Sequence, residues 1–432
     1  MRVLVLGGFG LIGSEICRTL LKAGHEVVSL SRTPKDASRL LPQVEWHTGD
    51  MRRLQDPGEW HHMLIGVDAV INAASALQDG LLADLEAVHH HSVKACLDAC
   101  IERGIIRFVQ ISATGAEPNA PTPFMRTKAA GDDAIMDSSI DWVILRPGLV
   151  LAPSAYSGTA LLRLLVAFPY WQPLVMADRR MQTVHVEELT EAALMAIEGR
   201  IPAHADIDLV EEETHSFEDL VRGMRAWLGF SPARYTIRMS EKWAGVITSI
   251  ANGLGHLGWR SPLRSTALQV LEGHVAGDPT LWHAISGRYC RSYQDTLGIL
   301  PSTTQERWFS KLSLMLPVLV LTLSLFWVLT GVITLIQMQD ATNLLAESGT
   351  TLLQSQFLLA SAAMIDIVLG VAILVRNLAR QVCLAMVLMT IIYLAAATIL
   401  VPDLWADPLG SLLKAVPAMM LALITRSLLT TR

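Results

Sequence analysis

The last third of this 432-residue chain has no histidine, since all 13 precede residue 284. Helices from that region have no imidazole to hold a haem or a typical transition metal, so a redox role there needs a diffusible carrier such as a quinone. Cysteine is nearly as sparse. Cys17, Cys96, Cys100, Cys290 and Cys383 show no paired CxxC spacing, which excludes a zinc ribbon and a disulfide framework and suits a reducing cytosol. Clustered Lys and Arg are missing and the formal charge is −6, which excludes nucleic acid as a main partner. Charge as a whole is thin at 17% and unevenly placed: residues 312–432 hold five Lys/Arg and five Asp/Glu, leaving 29 basic and 35 acidic residues before them. With a mean hydropathy of +0.39, part of the chain belongs in lipid.

Four stretches are long enough, or nearly so, to cross roughly 30 Å of hydrocarbon. Residues 312–336 and 381–401 are free of charge; 351–375 contains Asp366, and 409–425 contains Lys414, whose stem can snorkel to the interface. Arg307 and Lys311 precede the first span, Arg376 and Arg380 fill the second loop, and Arg426 and Arg432 follow the fourth. The first and third loops offer only Asp340, Glu347, Asp403 and Asp407. The positive-inside rule then puts both termini in the cytoplasm, and the leading reading is an inner-membrane protein of bacterial type. Asp366 reads either as a proton, ion or headgroup site or as a carboxyl bonded to a neighbouring helix. The segments FWVLTG (326–331), DIVLG (366–370) and PDLWADPLGSLLKAVP (402–417) resemble the DoxX-like four-helix membrane family over about the last 120 residues.

The other end of the chain, MRVLVLGGFGLIG, is apolar after one Arg, but its glycines interrupt any signal-peptide helix. Val3–Leu6, GGFGLIG, a helical stretch from Ser14 to Lys22 and a second apolar run, Val27–Leu30, make a βαβ unit. In it Gly7 permits the tight turn, Gly10 lets backbone approach a pyrophosphate and Gly13 allows close helix-to-strand packing, with Leu11 opening the helix that faces the phosphates. An acid at the end of the second strand would bond a ribose 2′-hydroxyl and repel a 2′-phosphate. Here Ser31 and Arg32 stand 18 and 19 residues after Gly13, so NADP(H) is favoured over NAD(H), unless Arg32 is only a solvated loop residue.

Further strands are predicted at Val44–His47, Ala69–Ile71, Phe108–Ile111 and Trp142–Leu145, most of them separated by helical stretches. This alternation predicts an α/β, Rossmann-type doubly wound parallel sheet with a small substrate-side subdomain, followed by an all-α four-helix transmembrane bundle. The expected division is 1–300 for the nucleotide-binding domain, with substrate-side elements mainly in 150–300, then a linker at 301–311 and the membrane domain at 312–432. At this point the chain resembles the extended and atypical short-chain dehydrogenase/reductase superfamily over about residues 1–300. The resemblance implies that Asp50 approaches the adenine, that Asn72 to Ala74, with Ala73 between them, line the adenosine side, and that Arg146-Pro147-Gly148 borders the nicotinamide and substrate. It also implies a catalytic Tyr four residues before a Lys, whose phenol exchanges a proton as hydride moves. Here that segment is Phe124-Met125-Arg126-Thr127-Lys128. Phe124 cannot do acid/base work, whereas Lys128 remains suited to holding the nicotinamide ribose. Ser112 or Thr114 is suited to polarising a carbonyl, and Tyr156 is a substitute donor.

His89 to His91, with His61 and His62 nearby, read as a solvated helix start and not as a metal site, because consecutive helical side chains point about 100° apart. His185 and Glu187 are assigned no catalysis. Residues 161–175 and the helical pattern Trp243, Val246, Ile247, Ile250, Leu254 before Trp259 read as a lid and core packing, or as an apolar channel or interfacial helix for a lipid-soluble ligand. Residues 303–310 would be the hinge, with Trp308 in the headgroup zone. Two functions follow: an oxidoreductase acting with NADPH on an apolar, quinone-like substrate, or an NADPH-binding sensor or assembly scaffold of a membrane redox complex, like the dehydrogenase-like accessory subunit of respiratory complex I.

Overall fold

A computed structural model describes residues 1–76, 84–155, 157–239, 245, 249, 253, 257, 259, 276–346, 351–406, 408, 410 and 412–429. Tyr156 and the pattern Trp243, Val246, Ile247, Ile250 and Leu254 lie outside the described residues. The described chain divides into two compact units, Met1–Asn252 with Pro262–Arg307, and Gly253–Ser261 with Trp308–Arg432.

The first unit is built on a seven-stranded sheet. Strands β1 (Arg2–Leu6), β2 (Glu26–Ser31), β3 (Glu45–Thr48), β4 (Ala69–Asn72), β5 (Arg107–Ile111) and β6 (Asp141–Pro147) are joined by a seventh strand, Ala205–Leu209. All neighbours run parallel, in the order seventh, β6, β5, β4, β1, β2, β3. Parallel strands need crossovers, which place helices on both faces and require apolar side chains in both directions. Val3, Leu4, Val5 and Leu6 are accordingly all fully buried. One face packs against helix α1 (Leu11–Lys22) through Ile16, Cys17 and Leu20, and against a helix at Val186–Ile197 through Leu189, Ala192 and Ala196. The other is covered by α3 (Ser92–Glu102) through Val93, Cys96 and Leu97, by Ile135 of α4 (Pro123–Met136) and by Trp60. A 7-residue helix, α2 (Pro34–Leu40), joins β2 to β3. The strand order reverses at the β1/β4 boundary, so a crevice opens at the carboxyl ends of these two strands.

The region after β6 is not a free-standing lid. Leu161, Leu162, Leu165, Val166 and Leu174 form a third core with Phe217, Leu220, Val221 and Met224, while Tyr170 and Trp171 are exposed. Trp282 and Cys290 return to the first core. Glu211, almost wholly buried, accepts from Thr183 N, Thr183 Oγ1 and Tyr293 N at 2.7, 2.8 and 2.6 Å.

The described part of the second unit is helical. Among the described residues, three helices are long and apolar enough to cross a membrane: Thr304–Ile336, Leu352–Ala372 and Arg376–Leu400. The first begins inside the expected linker, because Thr303 and Glu306 cap it: Thr303 N donates to Glu306 Oε2 at 2.8 Å and Gln305 N donates to Thr303 Oγ1 at 3.2 Å. Residues 303–310, expected as the hinge, are therefore mostly helix, and the division between the two units falls within them, after Arg307. Arg376 and Arg380 stand in the first turns of the third helix and not in a loop. Within the expected fourth span, 409–425, the described chain turns helical at Ala415, in the shorter apolar helix Ala415–Leu428. The FWVLTG and DIVLG segments meet at two glycines. A Cβ on Gly331 would stand 2.5 Å from Ala363 O, and one on Gly370 would stand 2.8 Å from Val328 N. Asp366 is buried there and accepts from Tyr393 Oη at 2.8 Å, a carboxyl bonded to a neighbouring helix.

Candidate functional site

The crevice floor is the glycine turn. Gly7 has φ of +76°, and a Cβ on it would stand 2.7 Å from Ala74 Cα and 2.8 Å from Ala73 O. Gly13 is tighter still, since its Cβ would stand 2.2 Å from Gly7 O. Gly10 is exposed, and its Cβ would meet only Gly7 O at 3.1 Å, so its outer side is open. The turn closes through Gly10 N donating to Gly7 O at 2.8 Å, and Leu11 then starts α1 with no acid in the first turn. The opening amides of a helix have no intrahelical acceptors and favour an anion. This cradle fits a diphosphate.

At the end of β2, Ser31 is buried and its Oγ accepts from Thr33 N at 3.1 Å, which turns the chain so that Arg32 is exposed. Asp50 follows β3 but is engaged by Arg52, whose Nε donates to both carboxylate oxygens at 3.1 and 3.0 Å. That bond, chiefly, holds the Asp50 carboxyl below its usual value, with Arg32 contributing in the same direction. Arg32 thus stands near Asp50 with its own charge exposed, while the charge of Arg52 is offset by that carboxylate.

Asn72, expected beside the adenosine, is 1% exposed and acts as a bracket: Nδ2 donates to Gln110 Oε1 at 2.8 Å and Oδ1 accepts from Ala74 N at 3.1 Å. Ala73 N donates to Leu6 O at 3.0 Å, which fixes the loop against the glycine turn.

The side expected to border the nicotinamide is a closed polar network. Lys128, 3% exposed, donates from Nζ to Ile111 O at 2.8 Å, and burial pulls its pKa down to about 8 despite the opposing charge of Asp132. Asp132, one turn along α4 and fully buried, accepts from Ser112 Oγ, from Gln110 Nε2 at 3.3 Å and from Arg146 Nη1 at 2.9 Å. Its burial raises the carboxyl pKa and Arg146 opposes the rise. Arg146 also bonds Asp206 Oδ1 at 2.7 Å. Thr114 Oγ1 donates to Arg146 O at 3.0 Å, and Pro147 O accepts from Thr114 N at 3.2 Å. Neither the Ser112 nor the Thr114 hydroxyl proton is directed at a substrate carbonyl in this arrangement. A Lys ammonium has three protons, so Lys128 can serve Ile111 O and a ribose together.

Phe124 packs with Leu85, Ala116, Ala120 and Met125 in an apolar cluster that Ala76 and Ala113 border. Against its ring, at 5.4 Å and 84°, stands His89. His89 is 2% exposed, which corrects the solvated reading for this member of the run; His91 is exposed and His90 half-buried. Its Nε2 accepts from Ala76 N at 3.1 Å, so Nδ1 carries the proton and donates to Thr127 Oγ1 at 2.9 Å, and Thr127 Oγ1 donates to Phe124 O at 3.1 Å. Burial, then the charge of Lys128, hold its pKa well below the ordinary value of 6.5. Gln110, Asp132 and Arg52 escaped the sequence reading, and His89 was read there as solvated. Only Asp132 had a signal there, four residues after Lys128 on the same helix face. His185, by contrast, is a cap: its Nδ1 accepts from Glu187 N at 3.3 Å.

Residues 7–161 match a family described as NAD(P)H-binding, and residues 324–423 match the DoxX-like family. The chain joins an NAD(P)-binding Rossmann domain to a DoxX-like domain. An uncharacterized chloroplastic protein of Arabidopsis thaliana is 30% identical over 166 residues, 36% of this chain and 53% of that one. A ceramide reductase of Caulobacter vibrioides is 24% identical over 250 residues, 57% of this chain and 75% of its own length. A photosystem II assembly factor of Synechocystis is 30% identical over 147 residues, 34% and 44% of the two chains. The chain thus spans about half the length of the first and third of these relatives. A dTDP-glucose 4,6-dehydratase from Bacillus anthracis in complex with NAD has the same fold, with a TM-score of 0.52 and 12% identity over 71% of this chain and 96% of that one.

Proposed function

We propose that this chain is an NADP(H)-binding protein of the bacterial inner membrane, with both termini in the cytoplasm, whose dehydrogenase-type site, with Phe124 where the resemblance expects a tyrosine, holds the coenzyme without turning it over. It acts as a sensor or assembly scaffold of a membrane redox complex. The amide of Leu11, at the start of α1, would take the diphosphate above the close-approach position Gly10, Arg32 a 2′-phosphate, and Lys128 the nicotinamide ribose. Bound NADPH would be able to supply hydride, but in this reading it is retained without turnover. What supports the reading is Phe124: where the resemblance expects a phenol, its ring lies in an apolar cluster, and the hydroxyl protons of Ser112, Thr114 and Thr127 are all committed to acceptors within the protein. An assembly factor among the relatives agrees with it.

The apolar cluster around Phe124 favours a second reading, a reductase of an apolar or quinone-like substrate, and a reductase among the relatives supports it. Incubation of the detergent-purified protein with NADPH and a panel of quinones separates the two. The scaffold reading expects tight NADPH binding without loss of its absorbance, and reductase activity gained in Phe124→Tyr. Rapid consumption by the unaltered chain would overturn it in favour of the reductase.

A further inference from the structure

We propose that Glu86, His90 and His91 form a binding site for a divalent transition-metal cation of the zinc, cobalt or nickel class. Adjacent histidines on an α-helix diverge by about 100° and cannot share an ion. Ala87–His91, however, is a π-turn, in which the amide of Ser92 reaches back to Ala87 O. The extra residue in such a turn brings positions i, i+4 and i+5 to one side, which here are Glu86, His90 and His91. One oxygen of Glu86 and one ring nitrogen from each histidine lie within 4.8 Å of one another. His90 Nδ1 is already 2.9 Å from Glu86 Oε1, and the two rings are 5.0 Å apart. Small side-chain rotations bring such a set to the about 2.0–2.2 Å that zinc requires.

Two features argue that the turn is built to stay in this form. On its buried side, His89 is pinned through Ala76 N and Thr127 Oγ1. Its backbone is pinned as well: a Cβ on Gly131 would stand 2.1 Å from His89 O, so α4 rests directly on the turn. The donors are thus held near each other before any ion arrives, which lowers the ordering cost of binding. Glu86 and His91 are exposed and His90 is half-buried, so an ion can enter and keep water at its remaining positions. A cation bound here would clamp the outer side of the turn that presents His89 to Phe124.

The test uses full-length, detergent-purified protein, made without a histidine tag and stripped by chelator. Co²⁺ is titrated by visible absorption and calorimetry, and Zn²⁺ is then added as competitor. One equivalent of Co²⁺ should bind saturably and be displaced by Zn²⁺. Affinity should fall by about tenfold or more in His91→Ala and in Glu86→Gln, and remain unchanged in His62→Ala, a histidine outside the group. An unchanged circular dichroism spectrum shows that the variants are folded. Absence of saturable uptake by the unaltered chain, or one equivalent retained in the His90→Ala/His91→Ala double variant, would overturn the proposal.

Discussion

Gly13 is the position where a single methyl would do most harm, because its Cβ would fall 2.2 Å from a backbone oxygen that has nowhere to move. Gly13→Ala should weaken NADPH binding by at least about tenfold, which is about 1.4 kcal/mol, as measured by calorimetry. Arg32 tests coenzyme choice separately: Arg32→Glu should weaken NADPH binding by about tenfold and leave NADH binding unchanged. His89 sets a pH dependence. Its folded pKa lies well below 6.5, so beneath that pH the unfolded chain takes up a proton that the folded chain refuses. Its contribution to stability is therefore complete above about pH 6.5 and is lost as pH falls, by at most about 1.4 kcal/mol per pH unit. In His89→Gln, denaturant unfolding between pH 7 and pH 5 should lack that slope; an equal slope in both proteins would exclude His89 as its origin.

At the level of elements, α4 and the π-turn are fitted to each other at Gly131, where no side chain has room. Gly131→Ala should destabilise the first unit by about 1–3 kcal/mol, read as a lowered denaturation midpoint with an unchanged denaturant slope. This contact was invisible in the sequence, since it depends on where two separate helices approach. The strands of the sheet were legible to within a residue or two from their apolar runs, and the glycine turn from its spacing. The seventh strand was not, because ADIDL at 205–209 carries two acids. Asp206 is held by Arg146, and Asp208 accepts from Asp278 N at 2.9 Å. Neither partner is near in sequence. The same limit hid His89, whose burial follows from tertiary contacts and from a π-turn that helical periodicity does not anticipate. In the second unit, length and hydropathy identified three helices, but they could not reveal that Thr303 and Glu306 start the first of them early.

For the whole molecule, the charge distribution predicts an orientation that thiol chemistry can read directly. All five native cysteines are buried, so an introduced exposed cysteine is the main target for a membrane-impermeant maleimide. Asp403→Cys should be labelled in intact cells, and Ser38→Cys only after lysis; the reverse pattern would invert the topology. The way the first unit is sewn together bears on how it can be cut. Its seventh strand, Trp282 and the Tyr293 amide on Glu211 all come from chain beyond residue 200, and they close the sheet and its cores. A fragment ending at the family match near residue 161 would leave β6 as a bare hydrogen-bonding edge and Arg146 without Asp206, an arrangement that invites edge-to-edge aggregation. Expression of the coenzyme-binding part alone should therefore run to residue 300, and shorter versions are expected in inclusion bodies.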